Sequence, residues 1–350
     1  HDLITRIATD PIGNLSDWEE IDEPWQFLAA CHEYYHTCIL CDRNYTNLPV
    51  AVDATCSGLQ ILAGLARDAS TAKLVNVLPS EKPQDAYKVI AEEAKPNVPE
   101  SIRPHMDRKT TKRTVMTVPY NAKPFSNRSY IKEALLSKKL KYYTVDTDKH
   151  AVRQDLREKG VWFNSEELTA TVNAVRGAMN VIVPGPMKVM KWIEKEVGKA
   201  IDRGEQEIQW CTPSGFIVTQ RLMKPIVETI ELQLLGRCQI NVATEEGDKV
   251  DKAHHKNATA PNLIHSLDAS LLHLSAIRFN APLALIHDSV LCRATDMHIL
   301  SAIVREVYMH LFAEQDYLTS WAAQIGAESE PPIIGDLTPE SVIESTYFFC

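Results

Sequence analysis

Asp53 and Asp288 invite a chemical reading because each closes a short apolar run, Pro49-Val50-Ala51-Val52 before the first and Leu283-Ala284-Leu285-Ile286 just ahead of the second. A carboxylate at the end of a buried strand costs desolvation free energy unless a cation or hydrogen bonds compensate it. If the two strands are neighbours, the pair suits two Mg²⁺ ions about 3.5–4 Å apart, the arrangement used for in-line phosphoryl and nucleotidyl transfer. Hard divalent cations choose carboxylate and carbonyl oxygens, so Mg²⁺ is the natural ion. Taken singly, a strand-end Asp is more often a turn or cap residue. The assignment therefore depends on what else converges on the pair.

A basic segment is the next chemical feature. Between Arg103 and Arg128 stand seven Lys or Arg (Arg103, Arg108, Lys109, Lys112, Arg113, Lys123, Arg128) against one acid, Asp107. Residues 107–118 (DRKTTKRTVMTV) are expected to form a helix that Pro119 kinks or ends. Arg108 and Lys112, four apart, would share a face. They suit the triphosphate of a nucleotide, Arg as a fork and Lys as a point charge. Tyr120, eight residues past Lys112, would lie on the same half of the helix surface and pack on base and sugar. A solvated basic face with an ordinary Tyr is the competing reading.

Other chemistries are excluded or disfavoured. Adjacent side chains of a strand point to opposite faces, so His287-Asp288-Ser289 cannot make a hydrolase triad among themselves. Neither G-x-x-x-x-G-K-[ST] nor G-x-G-x-x-G occurs, which argues against a P-loop or dinucleotide fold. Cys31, His32, His36, Cys38 and Cys41 resemble zinc spacing but lack a second half, and read as small residues on a buried helix. The eight scattered cysteines indicate a reducing compartment rather than a disulfide scaffold. No apolar run reaches the ~18 residues of a membrane span. A formal net charge of −9 does not exclude a nucleic-acid partner, because a duplex is held by a local patch.

The elements that must position these residues can be read from periodicity. Residues 24–40 predict a buried helix, 49–53 a short buried strand, and the run from Cys56 a helix again. Ser80 and Pro83 predict a helix start for 80–95, and 187–202 is amphipathic. Residues 210–220 predict a hairpin with Pro213-Ser214-Gly215 at its turn, and 283–286 with 290–292 a second strand pair carrying Asp288 at its tip. The fold class is α/β or α+β, helix-rich, with a discontinuous core.

Asp53-Ala54-Thr55-Cys56-Ser57-Gly58-Leu59-Gln60 resembles motif A of the single-subunit DNA-dependent RNA polymerases of bacteriophages and mitochondria. Residues 108–121 (RKTTKRTVMTVPYN) resemble motif B and His287-Asp288-Ser289 motif C, in the family's order and separation. Further similarity lies at 77–90, 210–220, 260–268 (APNLIHSLD) and the C-terminal ESTYFFC, and the wording is nearest the phage branch, phages of cyanobacteria included. The resemblance implies a right-hand polymerase with a small antiparallel palm sheet: palm over 1–69, fingers over 70–264 with the motif B helix and a promoter-loop-like hairpin, and palm again over 265–350. It implies Asp53, Asp288 and the Ala54 carbonyl as ligands of two Mg²⁺ ions. Arg108 and Lys112 would bind triphosphate, Tyr120 would select ribose, His265 would work beside Tyr120, and His287 would lie near the RNA 3′ end. The implied partners are promoter and template DNA, nascent RNA and ribonucleoside triphosphates. The implied setting is the cytoplasm of an infected bacterium, or a mitochondrion.

The sequence departs from that family at several points. The family usually has Gly after the motif B Tyr, where Asn121 stands here, and Pro119 before the Tyr is unusual. The stretch 224–242, which would read the promoter, carries Glu228, Thr229 and Glu231 where phage relatives use other residues. The family's long N-terminal domain and thumb do not precede His1, so a fragment or one piece of a split enzyme is expected, with the missing regions in cis or on a separate chain. The alternatives are a non-catalytic nucleic-acid-binding piece, or a DNA polymerase of the same palm superfamily. Such DNA polymerases carry a bulky Glu in motif A, where small Ser57 and Gly58 stand here.

Overall fold

The computed structural model describes every residue except 47, 144–161, 234–237, 315, 333–334 and 350, so Cys350 and part of the stretch 224–242 lie outside the described residues. Helices dominate, and the strands form small sheets of two or three. The class is α+β.

The chain opens with α1 (Asp2–Thr9) and α2 (Pro24–Tyr34), which runs into a π turn over Tyr35–Ile39. Residues 24–40 are helical as expected, but the expected burial is corrected. Only Cys31 of α2 is buried, packed with Ile7 and Trp18 in a small cluster apart from the main core, while Trp25 is 72% exposed. Cys38 and Cys41 are exposed too, so only one member of that Cys/His group behaves as a buried small residue.

Next comes β1 (Pro49–Asp53), and then α3 (Ser57–Ala66), buried at every position, as an all-round apolar helix must be. After α4 (Ala69–Leu74), α5 (Ala86–Ala94) begins six residues later than Ser80 suggested. The Asp85 side chain caps it by accepting from the Lys88 N–H, whereas the Ser80 hydroxyl turns to the Lys82 carbonyl at 2.8 Å. Helix α6 (Arg108–Thr117) starts on the Asp107 cap and stops before Pro119, which has no N–H to continue the ladder.

Helix α7 (Pro124–Ser137) and a short parallel pair, β2 (Lys141–Tyr143) with β3 (Trp162–Asn164), lead to α8 (Ser165–Ile182) and α9 (Pro184–Asp202). The expected hairpin at 210–220 forms as β4 (Ile208–Cys211) and β5 (Ile217–Gln220), with Gly215 supplying φ +83° in its turn. A much longer hairpin follows, β6 (Met223–Leu232) against β7 (Cys238–Val250), covering the stretch 224–242. Then come α10 (Lys252–Arg278), β8 (Leu283–Ile286), β9 (Ser289–Arg293), α11 (Met297–Met309) and α12 (Tyr317–Gln324).

Helices α3, α9 and α10 pack on one another at the centre of the main core. Strand order in the principal sheet is β1-β9-β8, all antiparallel. Residues distant in sequence thus meet: β9 lies between β1 and β8 and pairs with both. The expectation that β1 is buried is corrected. Val290 and Cys292 of the central strand are buried, whereas Val50 (39%) and Ile286 (57%) on the flanking strands are exposed. An edge strand has neighbours on only one side, and apolar composition alone does not reveal which strand is central.

Candidate active site

Asp53 ends β1 directly opposite Ser289, and Asp288 sits one residue away in the two-residue turn between β8 and β9. The Ala54 N–H donates to the Asp288 carbonyl at 3.4 Å, extending the pairing past the strand ends. His287 adopts φ +55° in that turn. Two-residue hairpins favour positive φ and hence Gly or Asn, so a His there costs on the order of 1 kcal/mol. Asp53, Ala54, His287 and Asp288 all line one cavity of about 590 Å³, with Lys112, Tyr120 and His265 around it.

The wall opposite the sheet comes from α6 and the turn after it. Tyr120 lies not on the helix, as expected, but in the turn beyond it, where its N–H reaches the Thr117 carbonyl at 3.1 Å. It faces the same cavity as Lys112 nonetheless. Its ring stacks on His265 of α10, with centroids 4.5 Å apart and planes at 12°. Its hydroxyl meets the Ser57 hydroxyl at 3.2 Å. Gly58 explains how the ring fits: a Cβ there would lie 3.0 Å from the Tyr120 hydroxyl. Asn121, where the family has Gly, takes φ +60°, the left-handed region that Asn tolerates better than most residues. Its side-chain N–H groups donate to Glu194 (3.0 Å) and to the Asn257 carbonyl (2.8 Å), tying the turn to α9 and α10.

Electrostatics separate the groups further. Burial pushes the Tyr120 phenol up to about 12, and burial with the nearby His287 lowers His265, favouring a neutral imidazole. Lys112 lines this cavity and also a neighbouring basic one of about 640 Å³ with Arg108, Lys109 and Arg113. Arg108 itself does not line the aspartate cavity. It pairs with Asp85 at 2.7 Å and lies over the Tyr87 ring at 5.4 Å.

Sequence reasoning missed Asp268. It sits three residues after His265 on α10, on the same face, is 9% exposed, and lines the aspartate cavity. Burial, then the charges of Asp288 and Asp53, push its carboxyl up to about 7 against a hydrogen bond from Ser57. The signal was available in the i, i+3 spacing within APNLIHSLD. The aromatic C-terminal run braces the loop after Asp53. The Thr55 hydroxyl donates to the Tyr347 carbonyl (2.7 Å), the Gln60 amide to the Phe348 carbonyl (3.0 Å), and Ala54 bridges Phe349.

Comparison with known proteins identifies the family. Residues 1–334 match the family model described as DNA-dependent RNA polymerase. The chain belongs to the DNA-dependent RNA polymerase family. Among similar relatives, the chloroplastic DNA-directed RNA polymerase 3B of Nicotiana tabacum is 29% identical over all of this chain and 36% of its own length. The T7 RNA polymerase of Escherichia phage T7 is 27% identical over 100% of this chain and 45% of its own. The mitochondrial DNA-directed RNA polymerase of Mus musculus is 29% identical over 88% of this chain and 25% of its own. The chain thus spans less than half the length of these family members, and phage and organelle polymerases resemble it about equally.

Proposed function

We propose that this chain carries the nucleotide-adding centre of a DNA-templated RNA polymerase, with palm over 1–69 and 265–350 and fingers over 70–264. The observation that carries the reading is the meeting of Asp53 and Asp288 at one end of the β1-β9-β8 sheet, facing Lys112 and the stacked Tyr120–His265 pair across one cavity. Membership of the polymerase family supports it independently.

The donor set fits Mg²⁺. Two carboxylates and the Ala54 carbonyl are hard oxygens, and the rise in Asp268 reflects its burial first and then the negative charge of Asp288 and Asp53. Among the described residues no group of three or more His, Cys, Asp or Glu is placed to hold a metal ion, so a Mg²⁺ here would draw the rest of its coordination from substrate phosphates and water. Asp53, Asp288 and the Ala54 carbonyl would hold it, and when bound it would lower the pKa of the attacking hydroxyl and stabilise charge on the leaving oxygen. Lys112 would meet the phosphates from the opposite wall, joined by Arg108 only after it leaves Asp85. Tyr120, stacked on neutral His265, would face the ribose, and His287 in the hairpin turn would lie beside the RNA 3′ end. The reaction is attack of an RNA 3′-hydroxyl on the nucleotide α-phosphate, with pyrophosphate leaving, and the chain's own share is alignment and charge stabilisation. The exposed β6–β7 hairpin would read promoter DNA.

The DNA polymerase alternative is less well supported, because Gly58 leaves no side chain between α3 and Tyr120 to exclude a 2′-hydroxyl. The test is single-nucleotide addition by the complete polymerase. Asp53→Ala and Asp288→Ala should each lower the rate by at least about 10³-fold with template affinity little changed. RNA synthesis near the wild-type rate in either variant sinks the reading.

A further inference from the structure

Asp268 has no role in the reaction as described, yet it occupies an expensive position. It is buried and faces two other carboxylates. On its other side Leu271, Tyr308 and Phe348 form an apolar floor that it shares with Ser57. A buried acid in such surroundings is destabilising unless its hydrogen bond is used. The group within its reach is the Ser57 hydroxyl, which also meets the Tyr120 hydroxyl at 3.2 Å. Helix α10 thus holds Tyr120 twice, by the His265 ring beneath the phenol and by Asp268 through Ser57.

We propose that Asp268 is a positioning residue for sugar discrimination, fixing the polarity of a hydrogen-bond relay from Tyr120 through Ser57. The hydrogen bond between them runs from the Ser57 O–H to a carboxyl oxygen of Asp268. The Ser57 oxygen is then left to accept from the Tyr120 O–H. The phenolic oxygen consequently presents its lone pairs to the cavity, where a ribose 2′-hydroxyl can donate and a deoxyribose offers nothing. Without the acceptor at 268, the Ser57 hydroxyl is free to turn and donate to Tyr120, and the preference weakens. The inference rests on the reading of Tyr120 as the residue facing the sugar.

The measurement is kcat/KM for a ribonucleotide over that for the matching deoxynucleotide, in the complete polymerase. Asp268→Ala, Asp268→Leu and Ser57→Ala should each reduce the ratio by about tenfold, the worth of one hydrogen bond. The Asp268→Ala/Ser57→Ala double variant should lose no more than either single, because the residues act in series. Asp268→Asn keeps an acceptor oxygen and should restore most of the ratio, which a purely structural role would not require. The isosteric Leu variant and Ser57→Ala carry the test if Asp268→Ala does not fold. A ratio that falls in Tyr120→Phe but stays put in the folded acceptor-free variants overturns the relay alone. Additive losses, or an Asn variant as impaired as the Ala, overturn it as well. An unchanged ratio in Tyr120→Phe removes the sugar-facing reading and the relay with it.

Discussion

Two hairpins of this chain are built on opposite plans. The β8–β9 hairpin is short, closes in two residues, and inserts β9 between β1 and β8, where Val290 is fully buried. The β6–β7 hairpin has strands of 10 and 13 residues with two irregularities in its register, and its apolar residues stay open: Val227 is 50% and Val242 39% exposed. The first holds carboxylates in place and can afford a strained His287 because the surrounding sheet overdetermines it. The second leaves those apolar residues exposed, with little packing to fix them. Placing side chains to fractions of an ångström demands burial, which the long hairpin lacks.

The same substitution in both hairpins breaks or upholds that contrast most directly. Val290→Asp should cost about 4 kcal/mol or more, enough to unfold the chain or nearly so, whereas Val242→Asp should stay within about 0.5 kcal/mol. Denaturant unfolding of the two variants decides it, and equal costs would end the comparison. Next in size is an excision. Joining Ile226 to Thr244 through Asn-Gly removes most of the long hairpin and should move the melting temperature by no more than about 3 °C. In the complete polymerase the excision should abolish promoter-specific starts while leaving RNA synthesis on a primed template. Loss of both activities together would show that the hairpin supports the catalytic site instead.

A third experiment concerns charge crowding at the short hairpin. Asp268 rises from an ordinary 3.8 to about 7 in the folded chain. Between those values the folded state keeps a proton that the unfolded state has lost, so stability falls as pH rises from about 4 to about 7 and then levels. With divalent ions chelated, Asp268→Asn should flatten that slope, visible as melting temperatures that no longer fall across the interval. A slope equal to wild type would detach Asp268 from the carboxylate pair. The smallest effect is expected at Asn121. Asn121→Gly and Asn121→Ala both give up the bonds to Glu194 and Asn257, but Gly relieves the left-handed backbone while Ala strains it, so Ala should be the less stable by about 1 kcal/mol.

Six residues singled out along the chain line one cavity: Asp53, Lys112, Tyr120 and Asp288 follow from strand ends, a helix and a proline stop, which are local signals, whereas His265 and His287 follow only from the family resemblance. Arg108, expected on the same face as Lys112, is held by Asp85 and Tyr87 at a neighbouring cavity. That competition depends on α5 lying beside α6, which spacing within one helix cannot convey. Apolar spacing over α2 and β1 reports that a face exists. It does not report whether another element covers it.

Local chemistry along the chain determined the helices, their caps, the two-residue turn and the identity of the reactive side chains, since each depends on neighbours a few positions away. Tertiary structure alone decided that β9 lies between β1 and β8, that α10 delivers both His265 and Asp268 to the aspartates, and that the aromatic C-terminus braces the loop after Asp53. Those outcomes follow from packing between segments more than two hundred residues apart, as in the Thr55–Tyr347 bond. Burial there sets the free energy of every charge, and no spacing rule contains it.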